Sequence, residues 1–437
     1  MTLSTQKINQ NDSPIKASLS EALLNYRAGN IQKVEAILNI ILEENPSCLE
    51  ALKLLAILSH KNNQFDRAIA CYQKIIAQIP NDIGFLIKLS WAYHQQRQFD
   101  LAIDVYNQIL EIEPDNEYAI WHRALLWLKT GNYSAGFADF ENKKNQPYYQ
   151  DSYLENHQLW DGCSLNGKRI LLYHSDDGFG DIIQLIRYVP LVKQQGGEVI
   201  VAVPKPLLRL FENVKGIDYL VYLDEPLPKF DVYFPLFSLP YRFQTTLETI
   251  PDRFPYLDIS ALKQKSLNNL VYLPGITPTN NLKIGFVWSS GHRDRNNTNV
   301  TAYRDCPLDF FLDLLSIPGI SLYSLQVGTW AKEIEQYLPQ KELFDLTPQI
   351  NDFADTALLM SQLDLVIAVD TAIVHLAGAM GIPTWTLLAY DADWRWLVDR
   401  DDSPWYPSMK LFRQTDYGNW PSVFTQVKSA LQNRLSK

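Results

Sequence analysis

From about residue 17, apolar positions recur at helical spacing in pairs of short segments, and the pattern then repeats itself. Pro46, Pro80 and Pro114 stand 34 residues apart. In register with them, small residues fill one column at Ala22, Ala56, Ser90 and Ala124, and another at Ala68, Ala102 and Gly136. Bulky residues fill a third at Leu38, Tyr72, Tyr106 and Phe140, with turn pairs at Gly29-Asn30, Asn62-Asn63, Arg97-Gln98 and Gly131-Asn132. Small side chains let two helices approach, bulky ones fill the space between them, and proline ends each unit. The pattern predicts about four helix hairpins over residues 17–145, behind a flexible N-terminus at 1–16.

A 34-residue helix-hairpin period is that of the tetratricopeptide repeat, whose stacked units form an α-solenoid with a concave surface suited to a peptide or protein. The same repeats could instead only brace the domain that follows. After a polar, aromatic connector at 146–167, short apolar runs alternate with helical segments. KRILLYH (168–174), Glu198 to Val203, KIGFVW (283–288), Ser321 to Gln326 and Leu365 to Val369 read as strands. Ile182 to Gln195, Pro206 to Asn213 and Leu308 to Leu315 read as helices. This is the βαβ pattern of parallel sheets. It divides into two Rossmann-like halves, 168–275 and 276–437, so the fold class is α plus α/β. Ligands are expected at the carboxyl ends of the strands.

Composition narrows the function. The chain has 437 residues, 39 Lys plus Arg against 49 Asp plus Glu, and a net charge of −10. No overall basic field exists to collect a nucleic acid backbone. Four cysteines, Cys48, Cys71, Cys163 and Cys306, lie far apart, without the spacing of a zinc site or a disulfide framework. The polar start lacks the apolar core of a leader peptide. The longest apolar stretch, Leu365 to Tyr390, carries Asp370 and His375, so no membrane span is expected and the expected location is the cytoplasm.

Three loops at strand ends carry candidate chemistry. SDDGFGD, Ser175 to Asp181, turns from strand to helix, with Gly178 and Gly180 easing the turn. Asp181 reads either as a helix cap or as a carboxylate able to take a proton from an acceptor hydroxyl, with Asp176 and Asp177 behind it. The long polar loop from Trp288 to Leu308 holds Ser289, Ser290, His292, Arg293, Arg295 and Arg304, candidates for binding phosphate. In the third, Asp370, Thr371 and Ala372 open a helix whose free N–H groups form an anion site, and His375 follows. A carboxylate at Asp370 suits sugar hydroxyls better than phosphate. Gln326 at a strand end, and Asp393 with Trp394, Arg395 and Trp396, complete the set.

VDTAIVHLAGAMGIPTW resembles the DT-x-x-x-HLAGA-x-G-x-P signature of heptosyltransferase-like (family 9-like) glycosyltransferases of the GT-B fold, and GFGDIIQLIRYVP resembles their GD segment. With the repeats, nearly the whole chain is similar to bacterial tetratricopeptide-repeat glycosyltransferases. The resemblance implies an inverting transfer from a nucleotide sugar, with no metal or other cofactor, the first half taking the acceptor and the second the donor. It implies Asp181 as catalytic base, Asp370, Thr371 and His375 as donor-binding residues, and Arg304 as the basic residue of the second half; Ala372 at the helix start, Gln326 at a strand end, and Trp394 with Arg395 after the last strand are expected to bind the donor from their positions alone. The acceptor would be a protein or peptide brought by the repeats. Two other readings are a repeat scaffold with an inactive GT-B domain and a nucleotide-sugar epimerase.

Overall fold

A computed structural model of the chain describes residues 12–144, 154, 157–174, 178–222, 225–265, 281–291, 304–338 and 340–436. They fall into two compact units, up to Trp127 and from Leu128 onward. The first unit is helical: α1 (Asp12–Arg27), α2 (Ile31–Glu44), α3 (Leu49–Lys61), α4 (Phe65–Gln78), α5 (Ile83–Gln95), α6 (Phe99–Ile112) and most of α7 (Glu117–Lys129). Buried positions of alternate helices repeat as expected: Val34, Leu38 and Ile41 in α2, Ala68, Tyr72 and Ile75 in α4, and Ala102, Tyr106 and Ile109 in α6. Spacings of four and three place each trio on one helix face, where it packs against its neighbours. Each hairpin turn needs one left-handed residue, and these recur in the same register: Gly29, Asn63, Arg97 and Gly131 all have positive φ. Asparagine tolerates this conformation, whereas at Arg97 it costs about 1–2 kcal/mol.

The second unit begins with the end of α7 and α8 (Tyr133–Lys144) and continues into two parallel sheets. The first contains β1 (Gln158–Leu159), β2 (Arg169–Tyr173), β3 (Glu198–Val203), β4 (Tyr219–Tyr222) and β5 (Val232–Pro235), in the order β1-β5-β2-β3-β4. Around it lie α9 (Phe179–Leu185), α10 (Val189–Lys193), α11 (Leu208–Phe211), α12 (Leu239–Arg242) and α13 (Ser260–Lys265). The helix expected over 182–195 is broken by a 3-10 turn at Ile186–Tyr188 and restarts at α10. Pro190, which has no N–H to donate, sits at that restart.

The second sheet contains β6 (Leu282–Val287), β7 (Ile320–Ser324), β8 (Leu343–Asp345), β9 (Leu365–Val369), β10 (Thr384–Leu388) and β11 (Met409–Arg413), ordered β11-β10-β9-β6-β7-β8. Helices α14 (Leu308–Leu312), α15 (Phe353–Met360), α16 (Ala372–Ala379) and α17 (Trp420–Leu435) connect and flank these strands. The chain winds outward from β6 to β8, returns to β9 beside β6, and winds the other way. That reversal opens a crevice at the carboxyl ends of β6 and β9. In the first sheet it falls between β2 and β5. Asp181 follows β2, Arg304 follows β6 and Asp370 follows β9, so each candidate stands beside a crevice. Among the described residues no helix is long and apolar enough to cross a membrane.

Candidate functional site

Asp181 lies in the first turn of α9. Its Oδ2 accepts the N–H of Gly178 at 3.0 Å while its own N–H donates to the Gly178 carbonyl at 3.0 Å. The carboxylate therefore does close the helix start, from inside the first turn. That uses one oxygen. Oδ1 accepts a hydrogen bond from Arg395 Nη2 of the second half. One oxygen of Asp181 thus closes the helix start, and the other is paired with Arg395 of the second half.

Gly178 and Gly180 act otherwise than expected. Gly178 has φ −71°, open to any residue, and Gly180 is not among the glycines of positive φ. A side chain at Gly180 would place its Cβ 2.7 Å from His375 Cδ2. Close approach of α9 to α16, across the two halves, is what requires glycine there.

From the second half, Thr371 caps α16, its Oγ1 accepting the Ile373 N–H at 3.2 Å, and Ala372 begins the helix. Both are only half-buried, leaving the start of the helix accessible. Arg304 stands 3.8 Å from Asp370 and 3.7 Å from Asp393. These are ion pairs longer than hydrogen bonds. Arg395 donates to Asp393 Oδ1 at 2.9 Å and to Gln184 Oε1 at 2.5 Å. The result is a row of alternating charge, Asp181, Arg395, Asp393, Arg304 and Asp370, drawn from both halves.

The row explains its own ionisation. Asp370 raises Arg304 above its ordinary value, outweighing burial. Burial raises the Asp370 carboxyl, against the pull of Arg304. Burial also acts on Asp393, but Arg395 and Arg304 outweigh it and hold this carboxyl at about 2. His375 is pushed down to about 3, by burial first and then by Arg395, so its imidazole is neutral at neutral pH. Its Nδ1 pairs with the Tyr406 hydroxyl at 2.8 Å.

Other candidates are committed elsewhere. Gln326 accepts the N–H groups of Trp288 and Ser289 at 3.2 and 3.0 Å and donates to the Ser289 carbonyl at 3.1 Å, so it staples the loop after β6. Ser289 Oγ donates to Asp305 at 2.9 Å, and the Ser290 N–H at 2.7 Å. Trp394 is buried. The Arg395 guanidinium lies 4.3 Å over its ring, and Tyr133 and Phe137 meet it edge-on at 5.8 and 5.7 Å. His292, Arg293, Arg295, Asp176 and Asp177 lie outside the described residues.

Sequence reasoning missed Gln184, Asp305, Arg187 and Tyr406. Arg187 is buried, donates to the Trp405 carbonyl at 3.0 Å, and has the Tyr256, Tyr406 and Trp405 rings 4.4, 4.9 and 5.3 Å from its guanidinium. It joins the first half to the second through Trp405 and Tyr406. The only available signal was a pair of polar residues, Gln184 and Arg187, inside an apolar helical run. Among the described residues no group of three or more His, Cys, Asp or Glu is placed to hold a metal ion.

Comparison with known proteins agrees with this architecture. Residues 328–429 match the model of glycosyltransferase family 9 (heptosyltransferase), and residues 19–83 and 83–116 match tetratricopeptide-repeat models. The chain thus carries tetratricopeptide repeats followed by a glycosyltransferase family 9 domain, its paired parallel-sheet halves consistent with a GT-B-like fold. Protein FlbA of Caulobacter vibrioides is 26% identical over 341 residues, covering 71% of this chain and 54% of FlbA. The chain spans about half the length of that curated relative. Solved MamA structures align at low similarity: MamA AMB-1 at 16% identity and TM-score 0.29, over 32% of this chain and 76% of that one. MamA 41-end from Desulfovibrio magneticus RS-1 aligns at 16% and 0.28, over 32% and 79%.

Proposed function

We propose that the chain is an inverting glycosyltransferase, moving a sugar from a nucleotide-sugar donor to a hydroxyl acceptor without a metal. One observation carries this reading: a carboxylate of the first half, Asp181, shares a row of charge with a cation and a helix start of the second half, each at a strand end. The donor diphosphate lies against Arg304 and the N–H groups opening α16 at Thr371 and Ala372, where helix dipole and guanidinium stabilise the leaving group. Asp370 accepts hydrogen bonds from the sugar. Asp181 takes the acceptor proton as the acceptor oxygen bonds to the anomeric carbon and the bond to the diphosphate breaks. Base and leaving group come from opposite halves, the arrangement a single inverting displacement needs.

The repeats bring the acceptor, a protein or peptide. Supporting this, Lys53 and Lys88 place their ammonium groups 5.5 and 5.4 Å from the Phe85 ring, a basic and aromatic spot in an acidic chain. Nucleoside diphosphates and nucleotide sugars tested by thermal shift, with product masses measured on candidate acceptors, test the reading. Asp181→Asn is expected to lower transfer by about 10²- to 10⁴-fold without loss of donor binding. Wild-type turnover by this variant would remove Asp181 as the base.

A further inference from the structure

The two arginines of the charged row are held very differently. Arg395 hydrogen-bonds to Asp181, Asp393 and Gln184, and its side chain is 7% exposed. Among the described residues, Arg304 makes long ion pairs to Asp370 and Asp393, and it is 36% exposed. They meet at one carboxylate, since Asp393 gives Oδ1 to Arg395 and Oδ2 to Arg304. On the far side of Arg395 stands Asp181, whose Oδ2 already receives the Gly178 N–H. The oxygen best placed to receive an acceptor proton is therefore Oδ1, the one that Arg395 holds.

We propose that Arg395 changes partner during the reaction: it holds Asp181, and the donor's diphosphate takes it over, freeing the carboxylate for the acceptor. This rests on the reading of Asp181 as base and of the second half as the donor side. A carboxylate bound by a guanidinium is a poorer proton acceptor than a free one. A diphosphate carries more charge than a carboxylate and suits the guanidinium fork, so it competes well for the same donors. Arg395 remains anchored while it exchanges. Asp393 precedes it by two residues and keeps its hydrogen bonds, and the Trp394 ring backs the guanidinium at 4.3 Å. Donor charge on Arg304 works in the same direction, drawing Arg304 from Asp393 and leaving Asp393 to hold Arg395 more fully. Arg395 is on this account a positioning residue that makes binding ordered, donor first.

The consequence is opposite to what a simple base would show: removing the Asp181 charge should tighten the diphosphate. UDP, ADP, GDP, CDP and dTDP are screened by thermal shift on the full-length wild type and Asp181→Asn, and the responding nucleotide is titrated by calorimetry. Asp181→Asn should bind it about fivefold more tightly or better, the low end of usual coupling between two sites, and that gain should vanish in an Arg395→Gln background. Equal affinity of wild type and Asp181→Asn overturns the exchange of partners while leaving the glycosyltransferase reading standing. A gain that survives Arg395→Gln overturns it too, because the effect is then one of general field. Should Arg395→Gln fold poorly, Arg395→Met keeps an unbranched side chain against Trp394 without the charge, and an undiminished gain there is equally fatal. If no nucleotide binds either protein, both readings fall.

Discussion

The repeat unit and the α/β unit bury charge on different terms. Among the described residues up to Trp127, the buried polar side chains are Ser59 and Ser90, and Ser90 satisfies its hydroxyl on the Ile87 carbonyl of its own helix. From Leu128 onward, Arg187, Asp370, His375 and Arg395 are all buried. Removing a charge from water costs several kcal/mol even when it is paired, and an apolar replacement often serves stability as well. A fold that needed only stability would resemble the repeats. Part of this buried charge gathers in the row between the two halves, where the chemistry is proposed, whereas the charged side chains of the repeat unit face solvent.

That contrast is broken most severely at Arg304. Arg304→Gln removes the most accessible cation of the row and is expected to weaken nucleoside diphosphate binding by about 10- to 100-fold, the worth of a hydrogen bond to a charged group. Calorimetric titration checks this, and unchanged affinity would make Arg304 a surface residue. His375 comes next. Its folded value of about 3 lies below the ordinary 6.5, so the unfolded chain takes up a proton that the fold refuses. Its contribution to stability is complete above about pH 6.5 and is lost as pH falls from there toward 3. Denaturant unfolding at pH 7.5 and 5 should show a smaller acid loss for His375→Asn than for wild type. Equal losses would show that the imidazole titrates normally.

Legibility in the sequence followed how local each requirement is. The 34-residue register could be read because helix approach at Ala22, Ala56 and Ser90, and the turn at Gly29, Asn63 and Arg97, are set within one unit. Strands such as Glu198–Val203 and Leu365–Val369 matched because buried parallel strands are apolar throughout. Asp181, Arg304 and Asp370 could be found as polar groups ending such runs. What stayed hidden is pairing at a distance: Arg395 and Asp181 are 214 positions apart, and no spacing rule joins them. Gly180 looked like a turn residue because its neighbour across the cleft, His375, lies on another half. The burial of Trp394 was hidden in the same way, because the residues that bury it, Tyr133 and Phe137, come from α8.

The role of α8 sharpens the comparison further, because it is a repeat helix that packs as part of the α/β unit. Tyr133 of α8 accepts a hydrogen bond from Trp405 Nε1 at 2.8 Å, and Lys129, at the end of α7, pairs with Asp391. Both partners flank the loop that carries Asp393 and Arg395. Tyr133→Phe should therefore cost about 1 kcal/mol, one buried hydrogen bond, measured by denaturant unfolding. It should also weaken nucleoside diphosphate binding. No change in either would return α8 to the repeats in function as well as in sequence.

The smallest effect is expected in the repeat unit itself, at Arg67. It reaches Glu35 at 3.2 Å and Asn39 at 2.8 Å, polar contacts between successive hairpins that resemble those of Arg395 on paper. The difference is water. The Arg67 and Glu35 side chains are 34% and 24% exposed, so solvent already answers much of their charge, and ordering two long side chains offsets part of the gain. Arg67→Ala should shift stability by about 0.5 kcal/mol or less, with its salt dependence nearly flat, and leave nucleoside diphosphate affinity where it was. Denaturant unfolding at low and high salt, with one calorimetric titration, measures both. A loss comparable to that at Arg304 would mean that polar contacts on the repeats carry as much as the buried row, and the distinction between the two units would have to be drawn somewhere other than burial.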